Sequence, residues 1–129
     1  MGTIKRFEDL EVWKDSRIVD KKIFDLTCGE KFKFDYELVR QIRKSSGSCM
    51  DNIAEGFERG SNKEFIQFLY ISKGSIGESR SQSYRALDRG YITEQEFEWI
   101  KEDCLMISKK ISALINYLKK SNFKGDKFK

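Results

Sequence analysis

The chain has neither proline nor histidine in its 129 residues. Without proline, nothing fixes φ or removes a backbone donor in mid-element, which favours long helices over a loop-rich β fold. Without histidine there is no imidazole to act as a general base, and the Glu-x-x-His ligand pair of di-iron bundles cannot be assembled. Serines are plentiful, but no base can be assigned to activate one. Gly74 and Gly77 lie inside a helical segment and not after a strand, so there is no phosphate-binding glycine loop. Cysteine is scarce: Cys28, Cys49 and Cys104 are odd in number and widely spaced, which argues against a disulfide framework and against a zinc site. Cys49 and Cys104 fall on apolar stripes, where the expected role is a small buried hydrophobe. No apolar run is long enough to span a bilayer, and no apolar signal region follows the first six residues. A reducing, cytoplasmic setting with no membrane partner is expected, with no cofactor and no metal.

What is present is charge and periodic grease. Charged residues make up 36% of the chain and apolar residues 39%, enough for one core. The net charge of +4 is carried entirely by residues 119–129, with five Lys and one Asp, so the rest is neutral. A uniformly basic nucleic-acid binder is therefore not expected, and local patches carry the argument. The chain divides into a bundle domain, 1–120, and a basic tail, 121–129. In the tail Phe123 and Phe128 alternate with Lys124, Lys127 and Lys129, and the plain expectation is a frayed terminus.

Four segments show helical spacing. The first, about 10–27, carries Val12, Ser16, Val19, Ile23 and Leu26, with Gly29 as its stop. The second, about 36–59, is capped by Asp35 and carries Val39, Ile42, Ser46, Cys49, Ile53, Gly56 and Phe57. Its centre, Ser45-Ser46-Gly47-Ser48, either lets a neighbouring helix approach closely or marks a kink. Gly60 ends it, and Ser61 with Glu64 forms a capping box for the third helix, about 62–89. There Phe65, Leu69, Ser72, Ile76, Ser79, Ser83 and Ala86 share one stripe. Gly90 stops the third helix, and Thr93 with Glu96 repeats the box. The fourth, about 94–120, steps through Phe97, Ile100, Cys104, Ile107, Ile111, Leu114 and Leu118, a bundle seam. The short links predict an all-α, antiparallel, up-down-up-down four-helix bundle.

Several segments resemble a known family. Phe7-Glu8-Asp9-Leu10-Glu11-Val12-Trp13-Lys14 resembles the opening of the 23S rRNA intervening-sequence proteins, the S23 or four helix bundle protein family. Gln41-Ile42-Arg43-Lys44 and Asn52-Ile53-Ala54-Glu55-Gly56-Phe57 resemble its second helix. The run from Lys63 to Ser75, with Glu78 beyond it, resembles its third, and Leu87-Asp88-Arg89-Gly90-Tyr91-Ile92 its last turn. Met50 stands where the family usually has proline, Ser79 and Ser83 where it has large aliphatics, and Arg89 where it has an apolar residue. At the two serines, either packing is loose or the hydroxyls bond back to carbonyls one turn earlier. The family is similar to the accessory protein of diversity-generating retroelements, a five-fold ring of bundles that binds a reverse transcriptase and nucleic acid. The resemblance implies a four-helix bundle, a homopentamer, a partner that is RNA, DNA or a protein such as a reverse transcriptase, and no catalysis.

Two constellations matter for function. Asn52, Glu55, Ser75 and Glu78 are expected to form a buried structural polar network, in preference to an acid–base or metal-binding carboxylate pair. Arg40, Arg43 and Lys44 on the second helix, with Lys73, Arg80, Arg85 and Arg89 on the third, are candidate nucleic-acid contacts. The plain alternative is a solvated face paired with acidic residues. Residues 94–103 hold Glu94, Glu96, Glu98, Glu102 and Asp103 against one Lys101, an acidic strip that a basic strip on another copy can meet head to tail. The expected function is a non-enzymatic oligomeric scaffold; the alternative is a structural interaction module without nucleic-acid affinity.

Overall fold

The computed structural model describes residues 4–121. The tail lies outside the described residues, apart from Ser121. Four long helices form where the apolar spacing predicts them: α1 Glu11–Thr27, α2 Tyr36–Glu58, α3 Asn62–Asp88 and α4 Glu94–Ser121, after a 3-10 turn at Phe7–Asp9. Local chemistry sets their ends. Asp35 caps α2 by accepting from the Leu38 amide at 3.2 Å. Thr93 and Glu96 complete a reciprocal box, each backbone N–H donating to the other's side chain at 2.9 and 3.0 Å. Ser61 makes half of one: it accepts from the Glu64 amide, and its hydroxyl returns the contact to the Glu64 carboxylate. Gly60 and Gly90 stop their helices at φ of 82° and 75°, where a side chain would be strained. Gly29 differs from the expectation. No positive φ is needed there, because the chain leaves α1 through a series of turns in which the Phe32 amide bonds to the Gly29 carbonyl. Phe32 is thereby driven into the core, 2% exposed.

Each helix runs against its neighbour. Along α2 and α3, Asp35 meets Arg89, Gln41 meets Arg85, Ser45 meets Ser79, and Ser48 meets Ser75. Ser16 of α1 touches Cys49 of α2, and Arg43 reaches back to Thr27. Tyr84 and Phe97 meet edge to face between α3 and α4, while at the opposite end Lys119 reaches Tyr70. Lys110 of α4 binds Glu11 and Asp15 of α1, and Lys22 of α1 binds Asp103. The result is an up-down-up-down four-helix bundle.

The core is aliphatic in α1 and α4 and hydroxyl-rich between α2 and α3. Val19, Ile23, Ile42, Ile53, Leu69, Ile76, Ile107 and Ile111 are almost wholly buried, each worth about 1.5–3 kcal/mol against exposure. All seven positions of the predicted α3 stripe are buried, polar members included. Three edges of the other stripes shift by one residue: Thr27 is buried in place of Leu26, Leu38 in place of Val39, and Ile115 in place of Leu114. α2 runs unbroken through Gly47. Ser79 and Ser83 are fully buried and bond back to the carbonyls of Ser75 and Ser79 at 3.3 and 2.8 Å. Ser72 donates across to the Cys49 carbonyl at 2.8 Å. Burial pushes the Cys49 thiol up to about 11 and the Cys104 thiol to about 12, so both stay protonated at neutral pH.

Asp35 does more than cap. Its second oxygen accepts from the Tyr91 hydroxyl and the Arg89 guanidinium, both at 2.8 Å, latching the α3–α4 turn to the start of α2. The Tyr91 bond, followed by the Leu38 amide and Arg89, lowers the Asp35 carboxyl below its ordinary 3.8, and the Asp35 bond raises the Tyr91 phenol above 10.0. A lowered carboxyl contributes stability above its unfolded value and loses it as pH falls through the folded one. A raised phenol contributes below its unfolded value and loses it as pH rises through the folded one. The latch therefore works between these limits and opens in both acid and alkali. Urea midpoints taken across pH should fall less steeply in acid for Asp35→Asn, which keeps the cap, and less steeply in alkali for Tyr91→Phe.

Candidate nucleic-acid interface

The seven candidate cations do not form one surface. Arg43 faces α1: its Nε donates to Thr27 at 2.8 Å, an Nη lies 3.5 Å from the Cys28 sulfur, and the guanidinium sits 4.3 Å from the Phe24 ring centre. Arg89 is held in the Asp35 latch. Lys73 and Arg80 are seven residues apart and so share a face of α3, half-buried, with Arg80 near enough to Cys104 for its charge to act on that thiol. Arg40 and Lys44 are exposed one turn apart on α2. Lys44 and Arg85 meet in one concavity, a cleft of about 580 Å³ between α2 and α3 that Gln41, Ser45, Glu78, Ser81 and Gln82 also line.

The structure links two of the four residues of the expected polar network, Asn52 and Ser75, through Ser48. Asn52 donates to the Ser48 carbonyl and hydroxyl at 2.8 and 2.9 Å, and Ser48 pairs with Ser75 at 3.0 Å. Glu55 and Glu78 stay outside it. Both are exposed: Glu55 pairs with Arg59 on its own helix at 3.0 Å, and Glu78 stands in the cleft. The reason is angular. Each lies two residues beyond a buried isoleucine, Ile53 or Ile76, which turns it about 200° away from the core. The buried polar cluster is built by other residues. The Ser45 hydroxyl bonds to Gln82 Oε1 at 2.6 Å and touches the Ser79 hydroxyl at 2.7 Å. Ser46 donates to Asp20 at 2.8 Å.

Sequence reasoning also passed over the outer face of α1. Lys14, Arg17 and Lys21, spaced three and four apart, line an open groove with Trp13 and Ile18. Arg43 joins Arg17, Lys21 and Phe24 in a second groove beside it. Arg17 lies 5.7 Å from the Trp13 ring centre, and Lys22 lies 3.5 Å from that of Trp99 on α4. The spacing of these cations was visible in the sequence; the arrival of Arg43 and Trp99 from other helices was not.

The family described as 23S rRNA-intervening sequence protein matches residues 8–113. Among solved structures, the chain is similar to a protein of unknown function from the S23 ribosomal protein family of Bacteroides thetaiotaomicron VPI-5482, with 24% identity and a TM-score of 0.74. The match covers 81% of this chain and 97% of the other. No curated protein matches significantly.

Proposed function

The chain belongs to the 23S rRNA-intervening sequence protein family, and we propose that it works as a non-enzymatic, homo-oligomeric scaffold that binds nucleic acid through basic helix faces. One observation carries this reading. Of the seven candidate cations, Arg89 alone is held by a carboxylate among the described residues. Arg40, Lys44, Lys73, Arg80 and Arg85 have no acidic partner there, although ion pairs are common elsewhere on the surface. A solvated, internally neutralised face lacks such a set. A cation with no carboxylate to give up meets phosphate without breaking an existing pair, and releases counterions as it does so.

Self-association is the second part of the proposal. The acidic start of α4 and the basic outer face of α1 are charge-complementary, as a head-to-tail ring requires, and the family resemblance suggests five copies. Ile18 and Met106 support it further. Each sits between residues that bridge α1 to α4, so both belong to that seam, yet they are 52% and 40% exposed. The same seam favours the second reading, a structural module that binds only protein.

Fluorescence anisotropy with a labelled single strand separates the two. Binding that neutralises four phosphates should weaken roughly 50-fold between about 50 and 200 mM salt. Affinity that stays flat across that range, or no binding at low salt, removes the nucleic-acid reading. Light scattering that finds a monomer at low salt and high concentration removes the oligomer.

A further inference from the structure

We infer that the cleft between α2 and α3 holds one ribonucleotide of a single RNA strand, with Lys44 and Arg85 on its phosphate and Glu78 on its ribose 2′-hydroxyl. This rests on the nucleic-acid reading above and narrows it to RNA.

The cleft is a built site. Glu78, Ser81, Gln82 and Arg85 follow one another three, one and three residues apart, so α3 presents them on a single face. Its volume of about 580 Å³ falls within the ~300–1,000 Å³ common for ligand sites. Its floor is held from below. Gln82 is only 6% exposed, and its Oε1 is taken by the Ser45 hydroxyl. Its amide nitrogen has no partner among the described residues. Among the described residues, the side-chain atom both sealed from solvent and unpaired is Asn62 Oδ1, so the Gln82 nitrogen keeps some solvent contact, and Gln82 lines the cleft. A nine-tenths-buried side chain thus offers an unused donor to whatever enters. On the wall, Gln41 Oε1 receives the Arg85 guanidinium at 2.6 Å and fixes its direction.

The charges select the ligand. Lys44, Glu78 and Arg85 line one concavity, and none is in an ion pair among the described residues. Two cations suit a phosphate, with arginine as a fork and lysine as a point charge. An ionised carboxylate only accepts hydrogen bonds, so it repels phosphate and needs a hydroxyl. A phosphate with a hydroxyl one sugar away answers both demands. In RNA that hydroxyl is the 2′-OH, and a DNA strand lacks it. DNA would leave Glu78 facing backbone charge with nothing in return.

The test uses the full chain and fluorescein-labelled single strands of one mixed sequence, in ribose and deoxyribose forms. The wild type should bind RNA about tenfold tighter than DNA, the worth of a hydrogen bond to a charged acceptor. Glu78→Ala should bring the ratio near one, chiefly by tightening DNA. The residue is exposed, so circular dichroism should not change. Lys44→Ala with Arg85→Ala should weaken both strands. Equal wild-type affinities overturn the RNA assignment while leaving the nucleic-acid reading intact, and so does a preference that survives in Glu78→Ala. No binding of either strand overturns both. Free adenosine monophosphate binding as tightly as the strand overturns the assignment to a polymer.

Discussion

Phe65→Ala should lower the unfolding free energy by about 4 kcal/mol, the middle of the range for truncating a buried aromatic. Phe65 is 1% exposed, and its ring meets Phe57 edge to face, 5.8 Å between centres. It sits one turn into α3, where the chain has just reversed at Gly60, so few neighbours can move into the space it leaves. Urea denaturation followed by helical ellipticity measures the loss as a lower midpoint at unchanged slope. A loss below about 1 kcal/mol would mean that this end of the bundle is not packed as described.

The second large effect comes from adding a single carbon. A Cβ at Gly56 would lie 2.5 Å from the Cβ of Phe68 and 3.1 Å from Cδ1 of Phe65. The Phe65 ring can turn aside; the Phe68 Cβ is fixed to the α3 backbone and cannot. α2 and α3 must therefore part, and Gly56→Ala should cost about 2–3 kcal/mol by overpacking, even though alanine is the better helix former. The same exchange at Gly74 or Gly77 meets nothing within 4 Å. There it should stabilise by about 0.5–1 kcal/mol, the helix-propensity gain alone. Opposite signs for one chemical change, measured as urea midpoints, would locate the close approach. Trimming Phe65 to leucine should not rescue Gly56→Ala, because the nearest clash is with Phe68.

These cases show what spacing reveals and what it hides. The α3 stripe could be read position by position, serines included, because a buried face constrains small and large residues alike. The α4 seam holds at every expected position but Leu114, where Ile115 is buried instead, and returns at Leu118. A strict three-and-four pattern repeats every 3.5 residues, while a straight helix turns every 3.6, a drift of about 20° per heptad. That drift loosens the fit at Leu114, yet Leu118 in the last turn is still buried. Glu55 and Glu78 are expected inward as members of a polar network, although their spacing from Ile53 and Ile76 points outward; angle is the better guide. The cleft lay beyond reach for another reason. Lys44 and Arg85 are far apart in sequence, and only the antiparallel register of α2 against α3 brings them together. Gln41 and Gln82 were the available signal: two amides beside an otherwise apolar or hydroxyl-bearing face.

Eight serines, from Ser16 to Ser121, lie buried in this bundle. Unfolding therefore wets oxygen along with hydrocarbon, and those two exposures change heat capacity in opposite directions. The curve of stability against temperature is accordingly flatter than for an aliphatic bundle of equal length. Cooling weakens such an interior less, and so does warming, because less of its cohesion comes from water's aversion to methyl groups.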